Sequence, residues 1–166
     1  MDKRRQIIHQ GGVPIGYITG RAAIIDADFF GCAAGRELTR IGVQITWQSE
    51  VANILKAADE NKQAGKRIMV YQLMAATAPE KKFVSYEQLC ELYGGPDRTD
   101  YHLVFDGRIA FESLDELYEL LSVGELPKGF VGRHLSMSDV IELCDDEDPA
   151  LYYVDAEDYI LTNWKE

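Results

Sequence analysis

The chain has 166 residues, 46% hydrophobic and 27% charged, with 17 Lys/Arg against 28 Asp/Glu for a formal net charge of −11. That length implies one domain or two small lobes with enough chain for a core. No apolar run approaches the roughly 18 residues of a bilayer span, and the few apolar residues after the charged start are too short for a secretory signal. The charge is uneven: residues 1–65 hold eight Lys/Arg against seven Asp/Glu, a balance of +1, and residues 66–166 hold nine against twenty-one, a balance of −12. Direct binding to nucleic-acid phosphates is therefore not expected, because it needs a basic face.

In chain order, Ile7–His9 and Ile15–Thr19 flank Gly11-Gly12 and predict a hairpin, and Gly20-Arg21 turns into a third strand, Ala22–Ile25. Asp28 is positioned to cap a helix from Phe29 to Ile41. On it Phe30, Ala33, Ala34, Leu38 and Ile41 share a face, and Gly42 sits where a C′ glycine belongs. Val43–Trp47 alternates as a half-buried strand. Ser49 precedes a helix over 50–63 with Val51, Ile54, Leu55 and Ala58 as its apolar stripe. The polar stretch Lys62–Lys66 marks a boundary between an N-terminal lobe, 1–65, and a second lobe, 66–166. Arg67–Met74 predicts an interior strand. Ser85-x-x-Gln88 and Ser113-x-x-Glu116 are capping boxes heading two helices, closed by Gly94 and Gly124. Tyr101–Phe105 is a strand, and Asp106-Gly107 predicts a tight turn into Arg108–Phe111. Finally Val140–Cys144 and Leu151–Val154 form a hairpin around the acidic turn Asp145-Asp146-Glu147-Asp148-Pro149. Ser136, Ser138 and Asp139 fix the chain's approach to it by bonding nearby backbone N–H groups. A last strand runs from Tyr159 to Leu161. The expected fold is α+β: a mostly antiparallel sheet with about four helices, as one compact body or two abutting lobes.

The terminal hairpin carries a resemblance. Gly132, Leu135, Ser136, Ser138, Asp139 and Val140, followed by Tyr152, Tyr153, Val154 and Asp155, resemble the YodL-like domain, whose pattern is roughly G-H-S-L-S-V-S-D-V-V, a variable turn, then Y-Y-V-D-S-F-G-F. Tyr101–Phe105 resembles that family's Y-D-L-V-Y strand and Leu114–Leu121 its L-E-D-I-Y helix, so the likeness covers residues 67–162. The chain departs from the pattern at His134, Glu157 and Asp158. The resemblance implies a small protein of bacterial conjugative transposons and related mobile elements. It carries over no catalytic residue.

Read for chemistry, the residues give little. His9, His102 and His134 have no partner at metal-ligand spacing, and nothing orients Cys144 and His134 as a nucleophile pair. Asp145, Asp146, Glu147 and Asp148 lack the interleaving and the glycine of a calcium loop and read as a solvated turn. Gly11, Gly12, Gly16 and Gly20 match no phosphate-binding loop. Cys32, Cys90 and Cys144 are odd in number and widely spaced, which points to reduced thiols and a cytoplasmic protein without metal or cofactor. Tyrosines gather in the second lobe, as core residues with some exposed anchors. The interaction surface expected from these features is Tyr152 and Tyr153 with Asp145, Asp146 and Asp148. The resulting expectation is a non-catalytic accessory module that binds an unidentified protein, not nucleic acid or membrane. An acidic DNA mimic acting against host defence is the alternative, and an enzyme with an unrecognised pocket the second.

Overall fold

The computed structural model describes residues 5–60, 65–77, 79–144 and 149–165. The chain divides into two compact units, Met1–Lys62 and Gln63–Glu166. The class is α+β, with four α-helices and nine strands among the described residues, in two mostly antiparallel sheets where the sequence suggested one.

In the first unit β1 (Gln6–Gln10), β2 (Val13–Thr19) and β3 (Ala22–Asp26) form the expected antiparallel meander. The chain then passes through α1 (Ala33–Arg40) into β4 (Gln44–Gln48), which pairs parallel with β3. Helix α2 (Val51–Glu60) packs against β2 and β3, burying Val51, Ile54 and Leu55. Two helix starts differ from expectation. Asp28 caps no long helix: Asp26 caps a single 3-10 turn over Ala27–Phe29, and α1 begins four residues later, capped by Cys32, whose Sγ accepts from the Gly35 N–H. At α2 the Ala52 N–H donates to Asp26 Oδ2 at 2.8 Å, so one buried carboxylate at the end of β3 serves two turns. The expected face of α1 is also thinner than its pattern suggested. Phe30 and Ile41 are exposed, and the close contact of this helix is Gly35, where a Cβ would stand 2.7 Å from Trp47 Cη2.

In the second unit five strands run in the order β6-β5-β7-β8-β9, antiparallel throughout: β5 (Lys66–Leu73), β6 (Tyr101–Ile109), β7 (Val140–Leu143), β8 (Ala150–Val154) and β9 (Tyr159–Thr162). Helix α3 (Tyr86–Tyr93) starts at Ser85, whose Oγ accepts from the Gln88 N–H, and stops at Gly94 with φ 79°. Helix α4 (Leu114–Ser122) starts at Ser113 in the same way. Here the Glu116 carboxylate accepts from the Glu112 N–H, one residue before the cap. The predicted turn at Asp106-Gly107 does not exist. β6 runs straight through it, because the Asp106 carboxylate is buried against β5 and accepts two bonds from Arg67, at 3.0 and 3.1 Å. A distant ion pair thus overrides the local turn preference of the dipeptide.

Strand alternation assigns the side chains to two layers. Ile68, Val70, Phe105, Ile141 and Val154 face a core closed by Leu117 and Leu121 of α4 and by Phe111 and Leu135. On the opposite face Tyr71 and Tyr153 lie in one cross-strand row, with Tyr86 against Tyr153 at 5.6 Å and Trp164 edge-on to Tyr71 at 5.3 Å. With both faces covered, the sheet reads as near-continuous apolar runs. No helix among the described residues is long and apolar enough to cross a membrane.

Candidate functional site

The densest polar cluster of the second unit forms where the segment before β7 folds back over the end of β5. It begins with Gly132. A Cβ there would lie 2.3 Å from Gln72 Oε1 and 2.8 Å from Val104 Cβ, so only a hydrogen atom fits. That closeness lets the Gln72 side chain grip the backbone of the next residue: Oε1 accepts from Arg133 N–H at 3.1 Å, and Nε2 donates to Arg133 O at 2.8 Å. Gln72 is buried and adds a bond from Nε2 to Asp139 Oδ2 at 3.1 Å.

Asp139 is the centre. Its side chain is fully buried. Arg133 meets it with two nitrogens, Nη2 to Oδ1 at 2.7 Å and Nη1 to Oδ2 at 3.0 Å, and the Ser136 N–H donates to Oδ2 at 2.9 Å. With the bond from Gln72, four donors close in on this carboxylate, three at Oδ2 and one at Oδ1. Burial pushes the Asp139 carboxyl up to about 6, against the opposing pull of Arg133, the Ser136 amide and Gln72. Arg133 also donates to Ser136 Oγ and to His134 O.

The next residue back completes the arrangement. Ser138 has φ 81°, in the left-handed region that a serine rarely occupies. Three hydrogen bonds hold it there, and a fourth braces the residue that follows. Its N–H donates to Val154 O at 2.9 Å, and the N–H of Val154 returns a bond to Asp139 O. The Tyr101 hydroxyl donates to Ser138 O at 2.9 Å, and the Tyr153 hydroxyl reaches Ser138 Oγ at 3.2 Å as well as Val84 O at 2.7 Å. Burial raises both phenols, Tyr101 furthest and Tyr153 to about 12, although the bond to Ser138 opposes the second shift. His102, partly buried, is lowered by desolvation and then by the neighbouring charges of Arg133 and Arg98, so it is neutral at neutral pH.

Of the expected site residues, the two that are described, Tyr152 and Tyr153, point to opposite faces of β8. Tyr153 belongs to the core: its ring is buried and its hydroxyl is engaged internally, so it is no part of an exposed surface, and the expectation for it is corrected. Tyr152 points to the opposite face and is half-buried beside Leu161 of β9. Asp145, Asp146 and Asp148 lie outside the described residues. His134 and Cys144 have separate partners, Nε2 with Gly124 O at 2.7 Å and Sγ with Glu142 O at 3.7 Å. All three cysteines are free thiols. No group of three His, Cys, Asp or Glu among the described residues is placed to hold a metal ion. Of Ser136, Ser138 and Asp139, all expected to fix the local turn through backbone N–H groups, Asp139 does so, while the hydroxyls of Ser136 and Ser138 meet the side chains of Arg133 and Tyr153. The sequence reading missed Gln72 and Arg133, although a glutamine inside the apolar run Ile68–Leu73 was itself a signal of a buried polar contact.

Comparison with curated proteins gives no match, and comparison with solved structures gives none. The family profile described as YodL-like domain matches residues 67–162, more than half of the chain, from β5 through β9 with the whole Gly132–Asp139 cluster. On that match the chain belongs to the YodL-like domain family.

Proposed function

We propose that this protein is a non-catalytic accessory module of a mobile genetic element, acting in the cytoplasm by binding another protein and using no cofactor. The observation that carries the reading is the state of Asp139. The one deeply buried carboxylate of the family segment's signature is turned inward onto donors from Arg133, Gln72 and Ser136, three at Oδ2 and one at Oδ1. A general base or a metal ligand needs an oxygen that reaches substrate or ion, and the Asp139 side chain is fully buried. Tyr153 of the same signature and Tyr101 are likewise turned inward onto Ser138. The signature therefore reads as the means by which the domain holds its shape, and recognition falls to the surface around it. The net charge of −11 favours a basic protein over nucleic acid as the partner.

The test is affinity capture of the full chain from host cells, with mass spectrometry of what is retained. A protein partner retained in stoichiometric amount is the expected result. Retention of no protein above an inert acidic control contradicts the reading. Capture of a nuclease that duplex DNA displaces would turn it towards DNA mimicry.

A further inference from the structure

The two edges of the five-stranded sheet are not alike. On the β6 side the chain covers its own edge, where the Val131 N–H donates to Val104 O at 2.9 Å. On the β9 side no described residue makes a backbone hydrogen bond to the outer edge; β9 pairs with β8 alone. The side chains around this edge are specific in kind. The cross-strand row Val70, Ile141, Tyr152, Leu161 begins in the core and runs out past α4. Val70 and Ile141 are fully buried, Tyr152 is half-buried, and Leu161 is 64% exposed. The row thus forms an apolar shelf beside an open strand edge. Acids border it from two elements: Asp115 and Glu119 on the exposed side of α4, next to Tyr159, and Glu157 and Asp158 in the turn that leads into β9. Tyr118 of α4 lies against Tyr159 at 6.2 Å and ties the helix to this strand.

An open edge offers a ladder of backbone hydrogen bonds to any extended chain, while neighbouring pockets and charges decide which chain is accepted. Here the shelf asks for apolar residues at alternate positions, and the four carboxylates ask for lysine or arginine between and beside them. A second copy of this chain is the wrong partner, since its own β9 would bring the same acids against these. We propose that the β9 edge takes an extended, lysine-bearing segment of a protein partner as a sixth strand of the sheet. The inference rests on the protein-binding reading above and gives that reading a place and a chemistry. Acids beside an edge strand also serve simply to keep sheets from associating, and that role alone predicts that no peptide of either charge pairs there.

The experiment uses the full chain, isotopically labelled, with two blocked decapeptides, one alternating lysine and valine and the other glutamate and valine. Amide spectra and hydrogen exchange are followed for wild type and for Leu161→Lys, a change at an exposed side chain that leaves the core intact. The lysine peptide should shift and protect the amides of 159–162, bind about tenfold more weakly to Leu161→Lys, and weaken further as salt screens the acids. The glutamate peptide should leave these amides unchanged. Absence of protection in β9 with the lysine peptide, equal binding to Leu161→Lys, or a concentration-dependent dimer that already protects β9 without peptide would each overturn the proposal. Host-cell capture with Leu161→Lys separates this inference from its premise. If the variant retains the same partner as wild type, the edge is wrong and the module reading stands. If wild type retains none, the module reading itself fails.

Discussion

Replacing Gly132 by alanine adds one methyl group at the tightest point of the signature cluster. The added Cβ would lie 2.3 Å from Gln72 Oε1 and 2.8 Å from both Val104 Cβ and Cγ1, all far inside van der Waals contact. Gln72 has no slack to give: it is buried, and its amide makes three bonds, two to the Arg133 backbone and one to Asp139. Val104 is buried as well, and its Cβ moves only with the β6 backbone. Overpacking of this kind costs about 1–3 kcal/mol, and the loss of one buried hydrogen bond as Gln72 withdraws adds about 1 kcal/mol. The expected destabilisation of the second unit is therefore about 2–4 kcal/mol. Each unit holds a single tryptophan, Trp47 in the first and Trp164 in the second, so a Trp47→Phe background lets fluorescence report the second unit alone. With urea slopes of about 1–3 kcal/mol per molar, the midpoint should fall by about 0.7–4 M. A midpoint within about 0.3 M of the parent would show that the close approach of Gly132 to Gln72 does not hold this cluster together.

Three further outcomes are expected. The Asp139 carboxyl is raised to about 6 in the fold from an ordinary value of 3.8, so the folded state binds the proton more tightly between those values. The contribution of Asp139 to stability is then greatest below about pH 4 and declines as pH rises towards 6; urea midpoints of wild type minus Asp139→Asn should shrink over that interval, and a growing difference refutes the assignment. Arg67→Met strips the buried Asp106 carboxylate of a two-bond partner and should cost about 3 kcal/mol, with most of it recovered in Arg67→Met/Asp106→Leu; a double variant as unstable as the single one contradicts this pairing. In the first unit Gly35→Ala drives a methyl group into Trp47 Cη2 and should cost about 1–3 kcal/mol and shift Trp47 emission, whereas unchanged emission would place the ring elsewhere.

What could be read from the chain depended on the distance over which each feature is decided. Ser85 with Gln88, Ser113 with Glu116, and the stops at Gly42, Gly94 and Gly124 are settled within one helical turn, and the structure has them where the residues placed them. Asp106-Gly107 failed because its geometry is decided by Arg67, 39 residues away, and not by the preference of the pair itself. Tyr152 and Tyr153 could not be told apart because both faces of the sheet are covered, which removes the polar alternation that would have fixed the parity of β8. The Asp139 cluster was half legible. Its bond to Ser136 is local, while the bonds from Gln72 reach across 61 and 67 residues and leave no periodic trace.

The sheet order β6-β5-β7 also dictates a sequence of events at the ribosome. Strand β5 finds β6 once α3 and the chain to Ile109 have emerged, but its other side waits for β7, which begins only at Val140. Until then Gln72 has neither Arg133 nor Asp139 to bond, and Ile68 and Val70 lack their neighbour Ile141. The antiparallel pair of β5 and β6 thus emerges with the β7 side of β5 bare, and docking of the Gly132–Val154 segment closes it late, through contacts of long sequence separation that form slowly. A nascent chain stopped short of that segment would present the same kind of open edge as an aggregation hazard. The family signature marks the piece of chain whose arrival commits the whole second unit to its fold.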